Sequence, residues 1–483
     1  MIAGACLIVT AGCGDPTSDG DNSTRTVGSG GAESSMSAST GAAGGQVIPT
    51  YSVEENVVGG SPNVLIITID TLRADHLGFH GYPRATSPRL DKLAGESVVF
   101  EWAYAPIATT LPSHTSMFTG VYPHEHGVLA NIKDGRSYQR RKDLMTLAEL
   151  FQRAGYATQA VVAATPLRPQ FGLNTGFDGY NAPANKQQSA EKTTKQALVA
   201  LDELAASKKP GLLWVHYFDP HGPYNPPVEF LSKFRMDDAM RADLAERKFA
   251  ARSQRPTGQW NMLEAGIDSY DGEIAFTDTQ IHRFLKAAEE SRWLENAIVV
   301  VLADHGEGLN QHGVAGHGLV WEEQLHVPMM LRIPGVEPRR IGTLASLVDF
   351  APTLLHVLDL PGEDDFLEQV SGVNRFRSDL RHDEIRLLGQ QSPRQSDAEA
   401  IGYSLRADQW KLHMSAENDA SLYDLSEDPF ELIDVAAKNP RVVDKLTAEL
   451  SEMLRGQLRE VQTEGVSKTI ERDLRALGYG GTK

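Results

Sequence analysis

"NVLIITID", residues Asn63–Asp70, decides the fold. Between its polar ends lie five aliphatic residues and one threonine, with no alternation of polar and apolar positions. A strand with one face in water alternates; a strand buried on both faces does not. This segment therefore belongs inside a sheet covered by helices on both sides. "GLLWVHYFD" (211–219) and "NAIVVVLAD" (296–304) repeat the pattern, and "ATQAVVAAT" (157–165) and "VPMMLRIPG" (327–335) are further strand-like runs. Helical spacing lies between them in "LMTLAELFQRAGY" (144–156, with Gly155 as its stop) and near Ala190–Ala206. It returns from about Tyr270 to Trp293 and in "SLVDFAPTLLHVLDL" (346–360). Strands alternating with helices predict an α/β fold with a mostly parallel sheet.

Past Pro361 the pattern changes. Residues 362–400 are charged and irregular, followed by short strand-like pieces, "AIGYSLRADQWKLHM" (400–414) and "SLYDL" (421–425), and a helix over about Pro440–Glu460. This predicts a smaller α+β domain over 362–483 behind a main domain over 56–361. At the other end, "MIAGACLIVTAGCGD" is an apolar run ending in small residues, and "VTAGC" resembles the lipobox of bacterial lipoproteins. Residues 1–13 read as an export signal with Cys13 as the lipidated residue, and 14–55, rich in Gly and Ser, as a flexible tether. The expected location is a bacterial membrane face, periplasmic or cell surface, with membrane contact only through that anchor.

Composition narrows the function. The 483 residues carry 46 Lys and Arg against 64 Asp and Glu, a net charge of −18. A nucleic-acid partner is therefore not expected. No apolar run approaches the roughly 20 residues of a membrane span. The two cysteines, Cys6 and Cys13, both precede the folded part, so a thiolate metal site is excluded there.

The strand ends carry the chemistry. Asp70 and Asp304 close two of the buried strands; Thr71 follows the first, and His305 and Gly306 follow the second. A third strand runs into His216, Asp219 and His221. Open α/β sheets bind ligands at the carboxyl ends of their strands. Oxygen ligands with an imidazole suit Ca²⁺, Mg²⁺, Mn²⁺ or Zn²⁺. In "TTLPSHTSMFTG" (109–120), Thr110 precedes Pro112 and a helix start near Ser113. A helix start offers N–H groups to an anion, and a hydroxyl beside a cation loses its proton more readily. An anionic tetrahedral ester, phosphate or sulfate, fits such a site.

Six blocks in order, from "PNVLIITIDTLRADHLGFHGY" through "TLPSHTSMFTGVYPHEHGV" and "YFDPHGPY" to "LYDLSEDPFELIDVA", resemble the sulfatase family of the alkaline phosphatase superfamily. The resemblance implies a large mixed sheet between helices, alkaline phosphatase-like, with a smaller C-terminal sheet domain. It also implies hydrolysis through a covalent intermediate on a metal-bound nucleophile. Asp70, Asp304 and His305 match metal-ligand positions, and Thr110 matches the nucleophile, itself a ligand. His221 matches a histidine that contacts the ester oxygens. His317 stands where many sulfatases place a lysine that assists the leaving group, and His114 where the nucleophile signature has arginine.

Three departures set the chemistry. Thr110 stands where sulfatases convert a Cys or Ser to formylglycine, which Thr cannot give. His114 replaces the signature arginine, and Thr71 replaces a second Asp ligand. A directly nucleophilic Thr is what phosphoryl-transferring relatives use, so phosphoester chemistry is expected ahead of sulfate-ester chemistry. The alternatives are a phosphotransferase that hands the group to an alcohol, and an inactive surface binding protein. The substrate class is a small-molecule, glycan or lipid head-group ester. Asp219 is expected to orient His221 or cap its turn, and Asp268 and Asp271 to be first-turn helix charges. His124 and His126 are expected to line the pocket or simply complete a turn, and His76, His80 and His312 to lie outside the site.

Overall fold

The computed structural model describes residue 58 and residues 60–476, apart from 134–135, 236, 239–259, 378–379, 394–401 and 456–461. The lipobox and tether of 1–55 lie outside the described residues. In chain order the strands are β1 (Asn63–Ile69), β2 (Val98–Tyr104), β3 (Ile132–Lys133), β4 (Arg136–Gln139) and β5 (Ala157–Val162). β6 (Gly179–Asn181), β7 (Gly211–Tyr217), β8 (Ala297–Ala303), β9 (His326–Arg332) and β10 (Arg339–Ser346) follow. β11 (Leu387–Gln390), β12 (Tyr403–Ala407), β13 (Trp410–Met414), β14 (Ala420–Asp424) and β15 (Gln462–Gly465) complete them.

Eight strands form the main sheet in the order β10-β2-β9-β8-β1-β7-β5-β6. β1 pairs in parallel with both β7 and β8, and β9 is antiparallel to both β8 and β2. The sheet is thus mixed and mostly parallel. Every residue of β7 and β8 is buried, as unbroken apolar runs require when helices cover both faces. The helix Ala190–Ala206 packs on β5 and β7 and against the helix Trp260–Glu290.

That second helix begins ten residues before the predicted Tyr270, which moves Asp268 and Asp271 from a first turn into its interior. Asp271 is buried there, accepting hydrogen bonds from Tyr82 Oη and Arg84 and lying 2.7 Å from His76 Nδ1. These are structural ties, and the expected role of a terminal charge is corrected.

β11–β14 form a four-stranded antiparallel sheet covered by the helix Pro440–Met453. Leu388, Leu405, Leu412, Leu422, Leu446 and Leu450 make its core. β15 then pairs with β4, so the chain returns to the main body. Among the described residues no helix is long and apolar enough to cross a membrane.

Candidate metal and nucleophile site

β1 and β8 are parallel neighbours in register, Ile69 beside Ala303, so the residues that follow each come out side by side. Asp70 N–H donates to Tyr217 O on β7, which fixes the end of the strand. Thr71 then takes a left-handed φ of 54°, an unfavourable backbone for a β-branched residue. Tyr270 Oη donates to its carbonyl at 2.7 Å, and its N–H donates to Asp304 Oδ1 at 3.1 Å. Asp304 Oδ1 also accepts from His305 N–H at 2.8 Å, which turns Oδ2 the other way. Gly306 is required by packing: a Cβ there would lie 2.1 Å from Glu323 O.

The outcome is a buried cluster short of partners. Asp70 Oδ1 and Oδ2, Asp304 Oδ2, His305 Nε2 and Thr71 Oγ1 are inaccessible and make no hydrogen bond. His305 Nε2 is 3.5 Å from Asp304 Oδ2 and 3.8 Å from Asp70 Oδ1. Buried polar atoms are normally satisfied, and several orphans meeting at one point call for a missing partner. Three carboxylate oxygens and one imidazole nitrogen fit a divalent cation.

A second set of potential ligands, His114, His216 and Asp304, shares one carboxylate with the first. One of its imidazoles is committed elsewhere at both nitrogens. His114 Nδ1 donates to Thr110 O at 2.8 Å, leaving Nε2 to accept from Thr68 Oγ1 at 3.1 Å. His216 Nδ1 accepts from Ala163 N–H, so its Nε2 proton faces Asp70 Oδ2, 3.6 Å away. His114 is thus engaged at both nitrogens, whereas His216 Nε2 is buried without a hydrogen bond, like the orphaned atoms of the first set. His216 was noted in the sequence without a role, because it lies inside a strand.

Electrostatics agree. Burial, then the charges of Asp304 and Glu307, push the Asp70 carboxyl well above its ordinary pKa. Burial raises Asp304 to about 6. Burial also lowers His305, His221 and His317 to about 3, so these rings are neutral. A cation must displace the carboxyl protons, so its binding weakens as pH falls through about 6. For the metal-free protein the sign is opposite. Folded pKa values above the unfolded ones give stability that is lost as pH rises toward about 6. The rise in Tm on adding manganese should therefore be small at about pH 5 and large at about pH 8. Scanning calorimetry reads it, and a pH-independent shift would contradict the site.

The helix Thr110–Thr119 is wholly buried and begins beside this cluster. Ser113 Oγ donates to Asp304 O at 2.6 Å, and His114 Nδ1 is 3.6 Å from Asp304 Oδ2. Leu111 N–H donates to Asn131 Oδ1 at 2.9 Å, while Asn131 Nδ2, also buried, has no acceptor. Sequence reasoning missed this amide next to Thr110. His317 Nδ1 donates to Ala108 O at 2.8 Å, and its ring centre is 4.2 Å from that of His305. His221 Nε2 lies 3.4 Å from His317 Nε2. Thr110, His114, His221 and His317 thus gather with Asp70, Asp304 and His305 at one end of the sheet.

The residues set aside lie elsewhere. Asp219 Oδ2 accepts from Ala190 N–H at 2.6 Å, capping a neighbouring helix rather than His221. His126 pairs with Ser116 Oγ, and His312 stacks on Trp321 at 3.6 Å. Glu431 links the C-terminal sheet to the main domain, accepting from Lys411 Nζ of β13 at 3.0 Å and from Glu322 N–H at 2.7 Å. His413 Nε2 is 2.7 Å from the same carboxylate. Burial would raise the Glu431 carboxyl, but Lys411 and His413 hold it well below the usual range. This ties down the base of the loop that carries His305 and His317.

Comparison with known proteins gives the family. Residues 62–360 match the Sulfatase family model. The uncharacterized sulfatase YidJ of Escherichia coli K12 is 25% identical over 357 residues, covering 63% of this chain and 70% of its own. The ulvan-active sulfatase of Formosa agariphila is 24% identical over 449 residues, covering 86% and 84%. The crystal structure of the phosphonate monoester hydrolase of Agrobacterium radiobacter superposes with a TM-score of 0.66 at 21% identity, covering 84% of this chain and 97% of that one. The chain belongs to the sulfatase family, in the alkaline phosphatase-like superfamily, and is an ester-hydrolysing enzyme.

Proposed function

We propose that the protein cleaves a phosphate monoester or diester through a covalent intermediate on Thr110, with sulfate esters as poorer substrates. The observation that carries this is the unpartnered Asp70, Asp304 and His305 atoms beside a helix that starts with an unconvertible threonine. A divalent cation held by Asp70, Asp304, His305 and Thr110 would favour the Thr110 alkoxide and neutralise ester oxygens. Thr110 Oγ then attacks phosphorus, and the bond to the leaving alcohol breaks. His221 and His317 face the ester oxygens and the departing oxygen, and His114 holds the turn through the Thr110 carbonyl. Water releases the group from Thr110, restoring the hydroxyl. The Agrobacterium fold neighbour, a phosphonate monoester hydrolase by name, supports phosphorus as the reacting centre.

The test is a matched series of nitrophenyl phosphate, phosphodiester, phosphonate and sulfate esters. Turnover of a phosphorus ester ahead of the sulfate is expected. A chain that turns over only the sulfate overturns the preference.

We also propose export and anchoring through Cys13. Cys13→Ser should move the protein from membrane to soluble extracytoplasmic fractions. Wild type already free of membranes would contradict the anchor.

A further inference from the structure

A cavity of about 400 Å³ lies between the main sheet and the C-terminal sheet, and none of the metal and nucleophile residues lines it. A space of that size suits a small organic ligand. Trp102 of β2, His326 at the start of β9, Arg406 of β12 and His80 stand in its walls. Trp102, 41% exposed, stacks on His326 at 5.2 Å with 23° between the planes, and His326 stacks in turn on Tyr104. His326 Nε2 donates to Glu101 O at 2.9 Å, which fixes its plane. One wall is thus a pile of flat rings whose outermost member is open to water.

The carboxylates around the cavity have partners. Asp75 pairs with Arg73 at 2.6 Å, Glu101 with Arg340 at 3.4 Å, Glu322 with Lys411 at 2.9 Å and Glu323 with His312 at 2.9 Å. Arg406 touches the Tyr104 hydroxyl but has no carboxylate partner among the described residues, and its Nε and Nη1 are buried without a hydrogen bond. His80 Nε2 is buried without a partner too, and its ring centre is 5.8 Å from that of His326. Burial lowers His80 to about 3, so the ring is neutral and Nε2 can donate or accept. Orphaned polar atoms on two residues of one cavity call for a ligand with an anionic acceptor and a hydroxyl. A dianion is disfavoured, because four carboxylates against three arginines line the same space. A single carboxylate fits.

We infer that this cavity binds a hydroxylated aromatic carboxylate, its ring against Trp102 and His326, its carboxylate at Arg406 and its hydroxyl at His80. Charge-assisted hydrogen bonds to the guanidinium supply the stronger contact, and ring stacking selects a flat molecule. Arg406 belongs to the C-terminal sheet and the other three residues to the main domain, so the ligand bridges the two. The site is separate from the ester site and does not depend on the reaction proposed there.

Titration calorimetry of the full chain with para-hydroxybenzoate tests it, and one site per chain is expected. Arg406→Gln and Trp102→Ala should each weaken binding about tenfold or more, with unchanged circular dichroism. Trp102 is partly exposed, so its alanine variant decides the matter where the Arg406 variant misfolds. Cyclohexanecarboxylate, with the same charge but no flat ring, should bind several-fold more weakly than the aromatic acid. Thr110→Ala should bind para-hydroxybenzoate as wild type does, and inorganic phosphate should not compete. No binding by wild type at millimolar concentrations overturns the site. So does binding that survives the Arg406 and Trp102 substitutions. Binding that Thr110→Ala or phosphate abolishes would place the acid at the ester site, which also overturns the inference.

Discussion

Thr110→Ala should remove turnover by several powers of ten, a loss of more than ~4 kcal/mol of transition-state stabilisation, while metal content and Tm stay near wild type. The side chain is buried at the first turn of the helix Thr110–Thr119, and that helix is held by Ser113 and His114, which the substitution leaves in place. Losing a hydroxyl and a methyl group there costs the fold little beside what it costs the reaction. Thr110→Ser should keep part of the activity, because the nucleophilic oxygen survives. Steady-state rates on the best ester of the series measure both. Wild-type turnover by the alanine variant would remove Thr110 from the mechanism.

Asp304→Asn should have the second large effect, on metal first and on activity through it. The amide can still accept from Thr71 N–H and His305 N–H, so the turn between β8 and His305 is preserved. What disappears is the negative charge of Oδ2. Metal affinity should fall by more than the 10–100-fold seen for outer-shell partners, and turnover with it. The metal-free variant should be at least as stable as metal-free wild type, since burial makes the Asp304 charge costly without a cation. Metal analysis and calorimetry check the two halves. Stoichiometric metal in the Asp70→Asn, Asp304→Asn double variant would contradict the ligand assignment.

How much of this was legible in the sequence depended on burial. β1, β7 and β8 were readable because strands covered on both faces are apolar throughout. β2 was not, because Glu101 and Trp102 break its apolar run, and its pairing with β9 shifts register between Phe100 and Ala103. β10 lies at the sheet edge, and its arginines and glycine hide it. The helix Trp260–Glu290 carries a glycine, Gly266, in its second turn, a residue that weakens the helical reading of its first ten positions and so misplaced Asp271. In the site, Asp70, Asp304 and His305 were visible because a charged residue closing a buried strand is conspicuous. Asn131 was invisible: a lone amide carries no pattern, and only the fold brings it to Leu111. The link from Glu431 to Glu322 joins residues 109 positions apart, so only the folded structure reveals it.

Mass spectrometry of a rapidly quenched reaction with a phosphorus ester tests the central claim most directly, because it reads the intermediate itself. A phosphoryl adduct should appear on the peptide containing Thr110 within the first turnover, decay as substrate is exhausted, and be absent in Thr110→Ala. An adduct on Ser113, or full turnover with no adduct on any residue, would contradict the account.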